Sequence, residues 1–175
     1  MANATIRASW YGGAASEPAG VTAETGFKYN RADSQSGTTQ IPQPTVTGTA
    51  FSHVKQIALE VTGTGTTTIG TLQAKLGSAL TSGITVGFLG SATYLDQTGG
   101  TGAGSDSGSN GAVPSGYAAL TTSYQTYDAA TGISTGTTGR KGNFCRLAAG
   151  VDNTYAGGAG AALSMPDHLF SYTES

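Results

Sequence analysis

Between Gln56 and Thr62 the chain alternates strictly, with Ile57, Leu59 and Val61 on one side and Gln56, Ala58, Glu60 and Thr62 on the other. Side chains of a strand repeat every two residues, so this spacing gives a strand one apolar and one polar face; on a helix the same residues would wrap around the axis. The pattern recurs. Thr5 to Tyr11 sets Ile6, Ala8 and Trp10 against Arg7, Ser9 and Tyr11, and Val21 to Tyr29 puts Val21, Ala23, Thr25, Phe27 and Tyr29 on one face. Ile84, Val86 and Phe88 alternate with Thr85, Gly87 and Leu89, while "NFCRLAAGV" (143–151) and "HLFSYT" (168–173) add two further strands. Short strands in this number, separated by Gly, Pro, Ser and Thr clusters, predict an all-β fold: an antiparallel β-sandwich of jelly-roll or immunoglobulin-like type.

The alternation also predicts the core, with most of Ile6, Trp10, Phe27, Ile57, Leu59, Val61, Ile84, Val86, Phe88, Phe144, Leu147, Leu169 and Phe170 inside. One segment is ambiguous. In "TLQAKLGSAL" (71–80), Leu72, Leu76 and Leu80 recur every four residues as on a helix, but a ten-residue run containing Gly77 makes a marginal helix and a strand with turns competes evenly.

Composition fits one such domain. The 175 residues include 28 Gly, and only 10% are charged against a usual share of about 25%, yet 37% are hydrophobic, enough to build a core. Residues 1–175 read as a single β-sandwich domain, with residues 1–20 as an N-terminal arm or edge strand. Residues 96–116, "DQTGGTGAGSDSGSNGAVPSG", carry almost no large apolar side chain and read as a long, flexible Gly/Ser-rich loop.

Charge and hydropathy exclude some partners. The net charge is −2, and of the eight basic residues only Arg140 and Lys141 are adjacent, so no stripe could track a phosphate backbone and no nucleic acid is expected. No apolar run approaches a membrane span, and "MANATIRASW" lacks the apolar core of a leader, so a soluble chain made in the cytoplasm is expected. Cys145 is the only cysteine, which rules out an internal disulfide.

Motifs for chemistry fail on spacing. After Gly100 and Gly102 comes Ser105, and after Gly158 and Gly160 comes Leu163, so neither run completes the glycine pattern of a dinucleotide loop. "GGTGAG" has Gly104 where a calcium-binding repeat needs its aspartate, which leaves Asp96, Asp106 and Asn110 as a sparse oxygen set. His53 and His168 would need Cys145 or distant carboxylates to make a zinc site. With no nucleophile elbow and no paired carboxylates, no catalytic, cofactor-binding or metal residues are assigned, and the chain is read as not an enzyme. Tyr117, Tyr124, Tyr127 and Tyr155 stand in Thr- and Gly-rich surroundings and are candidate anchors for a partner or a sugar, or else edges of the sandwich.

Asn30-Arg31-Asp33, the connector Ile41-Pro42-Gln43-Pro44, the pair Phe51-Ser52, the strand from Gly83 to Gly90 and the ending Tyr172-Thr173-Glu174-Ser175 form a further pattern. In these motifs the chain from about residue 21 onward resembles virion β-sandwich structural proteins of tailed bacteriophages. The resemblance implies a non-enzymatic capsid decoration, or cement, protein that binds the major capsid protein, assembles in the host cytoplasm and resides on the virion surface. A tail, baseplate or head-fibre accessory subunit is the near alternative, and a carbohydrate- or receptor-binding module the more distant one. Low charge and many small side chains suit self-association, and a homo-oligomer is expected, a trimer ahead of a dimer. In the connector, Pro42 and Pro44 are expected to hold an extended crossing outside any central ladder.

Overall fold

A computed structural model of the chain describes residues 3–12, 17–22, 29, 41, 43–44, 47–95, 116–157 and 165–175. Phe27, Asn30, Arg31, Asp33, Pro42 and residues 96–115 of the predicted loop lie outside the described residues. The strands in chain order are Thr5–Tyr11 (β1), Val21–Thr22 (β2), Thr49–Phe51 (β3), Lys55–Gly63 (β4), Thr68–Leu76 (β5), Ile84–Ser91 (β6), Ala118–Ala119 (β7), Gln125–Asp128 (β8), Ile133–Ser134 (β9), Gly139–Asp152 (β10) and His168–Glu174 (β11). They form two antiparallel sheets, and the fold is the expected all-β sandwich. The first sheet runs β2-β1-β4-β10-β6-β7 with β3 also on β10, and the second runs β11-β5-β8 with β9 on β5. β1 thus lies one strand in from the edge, with β2 outside it.

β10 is the longest of the described strands, 14 residues, and organises the first sheet. Along one side it pairs with β6 from Phe144↔Ser91 to Val151↔Ile84; along the other it takes β4 and then β3. Between those two, residues 52–54 face only Ala148 and Ala149, so one extra residue bulges out. Ser52 closes the gap, its N–H donating to Ala149 O (2.7 Å) and its Oγ accepting from Ala149 N–H (3.0 Å). β3 and β4 therefore act as one bulged strand.

The ambiguous segment is strand. Leu72, Ala74 and Leu76 of β5 are buried, while Gln73 and Lys75 between them face outward. The four-residue leucine spacing coincides with every second inward position of a strand, and Leu80 lies beyond its end, packed against the core. Facing β5 from the first sheet are Ile57, Leu59, Val86, Leu147 and Ala149, and together they make the main core. Ile6, Trp10 and Phe170 pack at its margin.

Two expected core residues are elsewhere. Leu169 pairs with Lys75 on the outward face of the second sheet and is 40% exposed. Phe144 is fully buried, but with Tyr11 and Ala58 in a small second cluster on the outward side of the first sheet. Its neighbour Cys145 takes the inward place, because adjacent residues of a strand point to opposite faces.

The Ile41-Pro42-Gln43-Pro44 connector is tied to the body at two points. Ile41 is buried in the core, and the Gln43 amide donates to Tyr155 O (2.7 Å) and Asp152 O (3.4 Å) in the turn after β10.

The sheets meet most closely where β8 crosses the first sheet. Pairing of β10 with β4 jumps from Lys141↔Leu59 to Cys145↔Ile57, leaving Gly142, Asn143 and Phe144 opposite Ala58 alone. In this bulge Gly142 has φ +67, and a Cβ there would stand 2.6 Å from Asp128 Oδ2 and 2.5 Å from Leu72 Cδ1. Asp128 Oδ2 accepts the Asn143 N–H (2.7 Å) and Oδ1 the Ala130 N–H (2.8 Å). Gly142→Ala is expected to cost at least about 2 kcal/mol in urea denaturation, the left-handed penalty of about 1 kcal/mol plus displacement of a buried carboxylate. Gly132→Ala, at the same φ of +67 with open space around it, should lose only the first part.

Candidate interaction surface

The two outward faces of the sandwich differ. On the first sheet, Arg7 bridges to Glu60 (2.7 Å) and Ser9 Oγ donates to the same carboxylate (2.6 Å). Burial alone would raise the Glu60 carboxyl, but these hydrogen bonds and the Arg7 charge outweigh it and hold it below its ordinary value. Beside this network Phe144 packs edge-to-face with Tyr11 (5.2 Å between centroids) and Tyr94 (5.9 Å), and the Arg140 guanidinium lies 4.4 Å over its ring while binding Glu17. Burial, helped by Glu60 and Glu17, pushes the Tyr11 phenol up to about 12. The fully buried Gln56 amide pairs with the backbone of Leu95 in both directions, donating to its O and accepting from its N at 2.8 Å each. Segments 17–20 and 92–95 are thereby held down over this side.

Among the described residues no segment covers the outward face of the second sheet, which is built in two rows. Leu169 on β11 stands opposite Lys75 on β5, and Lys75 Nζ lies 4.4 Å from the ring centre of Tyr124, the residue just before β8. Tyr124 is 42% exposed. The next row is polar: Ser171 Oγ donates to Gln73 Oε1 (3.4 Å), and Gln73 Nε2 donates to Thr126 Oγ1 (3.3 Å). Gln125 fixes the turn that presents Tyr124, accepting the Thr121 N–H at 2.8 Å and donating to Ala119 O at 3.0 Å. Side chains held in this way lose little rotamer entropy when a partner covers them. The face offers aliphatic, aromatic, cationic and hydroxyl-amide groups in a flat array suited to a protein surface.

Of the four tyrosines considered as anchors, only Tyr124 is exposed. Tyr127 is buried with its ring edge against Phe170, burial pushes the Tyr117 phenol up to about 12 against the opposing charge of Arg146, and Tyr155 packs on the core. The adjacent basic pair is committed inside the fold, Arg140 to Glu17 and Lys141 Nζ to Thr137 Oγ1 (2.8 Å). Lys75 and Gln73 are not singled out by the sequence as surface-site residues, and Leu169, expected in the core, belongs to this face. The alternation of Gln73 and Lys75 with Leu72, Ala74 and Leu76 carried that signal once the segment is read as strand.

The histidines and cysteine do not converge. His53 is buried in the bulge between β3 and β4, with Nδ1 3.3 Å from Val54 O, whereas His168 opens β11 in the other sheet. Cys145 is fully buried, and burial pushes its thiol well above its ordinary range. Among the described residues, no three of His, Cys, Asp and Glu could hold a metal ion. Asp96, Asp106 and Asn110 lie outside the described residues.

His168 Nε2 instead meets the Tyr29 hydroxyl at 2.8 Å, and burial lowers the imidazole to about 4, opposed by Asp167 and a hydrogen bond to the Pro166 backbone. Its ordinary value is 6.5, so between pH 6.5 and 4 the unfolded chain takes up a proton that the folded chain refuses. Stability from this group is intact above pH 6.5 and falls as the pH drops, by up to roughly 3 kcal/mol near pH 4. Denaturation midpoints measured from pH 7 to 4 should show that decline, and His168→Gln should flatten it.

No family model, no curated protein and no solved structure matches this chain.

Proposed function

We propose that the chain is a non-enzymatic structural protein of a tailed-phage virion, a capsid decoration protein that lies on the major capsid lattice through the outward face of its second sheet. The observation that supports this most directly is the asymmetry of the sandwich: one outward face is closed by its own segments, and the other presents Leu169, Lys75 and Tyr124 above the Ser171-Gln73-Thr126 row. A module that must lie flat on a repeating shell needs one such ordered face. Each contact can be weak, because many copies on one lattice, or one oligomer spanning several shell sites, convert modest affinity into durable attachment.

A tail or baseplate location uses the same face on a different virion protein. A sugar-binding role draws on the exposed Tyr124 ring, but the Lys75 ammonium already lies over that ring.

Purified protein should co-sediment with expanded, undecorated capsids and not with isolated tails. Leu169→Asp and Tyr124→Ala should each weaken that binding at least about tenfold, a change of 1.4 kcal/mol, without moving the unfolding midpoint. Binding to tails alone would move the protein to the tail, and capsid binding indifferent to both substitutions would remove this face from the interface.

A further inference from the structure

β11 is the end strand of the second sheet, with β5 as its one partner among the described residues. Native edges are usually blunted by lysine, proline or an inward charge. The sequence of β11, HLFSYTE, has no lysine, arginine or proline; its one carboxylate, Glu174, stands at the last position and accepts from Thr67 Oγ1 (2.9 Å), and the strand carries two of the four exposed large hydrophobics among the described residues, Leu169 (40%) and Tyr172 (37%).

The direction of its backbone groups is fixed by its bonds to β5. Ser175 exchanges N–H and C=O with Thr68 (2.9 and 2.8 Å), and Asp167 O accepts from Gly77 N–H (2.7 Å). Odd-numbered residues therefore turn their backbone groups toward β5, and by the antiparallel alternation the N–H and C=O of His168, Phe170, Tyr172 and Glu174 point out of the sheet. These four residues form a hydrogen-bonding edge of the right spacing for another antiparallel strand.

We infer that the occupant of this edge is a second copy of the same strand, paired antiparallel about a two-fold axis through Ser171. Two identical strands related by such an axis must match residues of the same face, which restricts the centre to one residue, and only Ser171 as centre pairs all seven positions of β11. In that register Phe170 lies opposite Tyr172 of the partner copy, twice, an aromatic cross-strand pair of the kind that stabilises sheets. Leu169 lies opposite Thr173 on the outward face, and His168 opposite Glu174. The outward-pointing backbone groups of Phe170 and Tyr172 bond each other, and those of His168 and Glu174 likewise. The result is a continuous sheet across two copies, and the outward face described above is doubled. The pairing needs no capsid and is tested in its absence.

The register makes the test specific. Ser171 meets its own counterpart at a non-hydrogen-bonded position, where antiparallel Cα atoms approach to about 4.5 Å, within reach of a disulfide. Under mild oxidation Ser171→Cys should shift from monomer to dimer on a non-reducing gel, with Cys145 too buried to compete. Leu169→Cys or Thr173→Cys alone should stay monomeric, since each would lie about 13 Å from its own counterpart, but a mixture of the two should cross-link. A monomeric Ser171→Cys, self-linking of Leu169→Cys to the same extent, or a mixture that fails to link overturns the pairing. Unoxidised wild-type protein should sediment as a dimer at micromolar concentration, and a monomer there overturns it as well.

Discussion

The contact on which most of this sandwich depends is the Asp128 carboxylate seated in the bulge of β10. Packed sheets normally lie about 10 Å apart with side chains between them. Here backbone meets backbone. A Cβ on Gly90 of β6 would run into the Tyr127 carbonyl of β8, and one on Gly142 would meet Asp128 itself. The carboxylate, carried by β8 of the second sheet, accepts the Asn143 N–H of the first sheet and the Ala130 N–H of the loop that leaves β8, so one side chain ties the first sheet to the second and to that loop.

From that junction the geometry of the second sheet follows. The loop after Asp128 crosses back over β5, where Ala130 O accepts the Thr71 N–H (2.9 Å) and crowds Gly70. Thr71 is held there at φ +48, unusual for a β-branched residue, and the pairing of β5 slips by one residue against both β8 and β11. Those slips set which side chains of the three strands stand level. The rows Leu169-Lys75-Tyr124 and Ser171-Gln73-Thr126 lie on the side of the slip where the register is regular, and so they form straight ladders.

The strands themselves were legible because alternation is local. Lys55–Gly63, Ile84–Ser91 and Gly139–Asp152 contain the predicted periodic segments, and burial of Ile57, Leu59, Val61, Val86 and Leu147 follows the predicted face. Legibility failed where a side chain's role depends on the neighbour supplied by another strand. Leu169 looks like a core residue in isolation, yet Lys75 is what stands beside it; Phe144 sits on the polar side of its sheet and is buried because Tyr11, Tyr94 and Arg140 come to cover it. The same applies to the tyrosines, of which Tyr124 and Tyr127, three residues apart, end one outside and one inside.

Sequence alone determined that this chain forms antiparallel strands with a sandwiched core, because a period of two, frequent turn residues and scarce charge leave no other way to bury its apolar side chains. Tertiary structure alone decided which outward face stays open. That choice rests on contacts between residues far apart in the chain, Gln56 with Leu95 and Arg140 with Glu17, whose hydrogen bonds depend on where distant segments return over the first sheet and not on any local pattern.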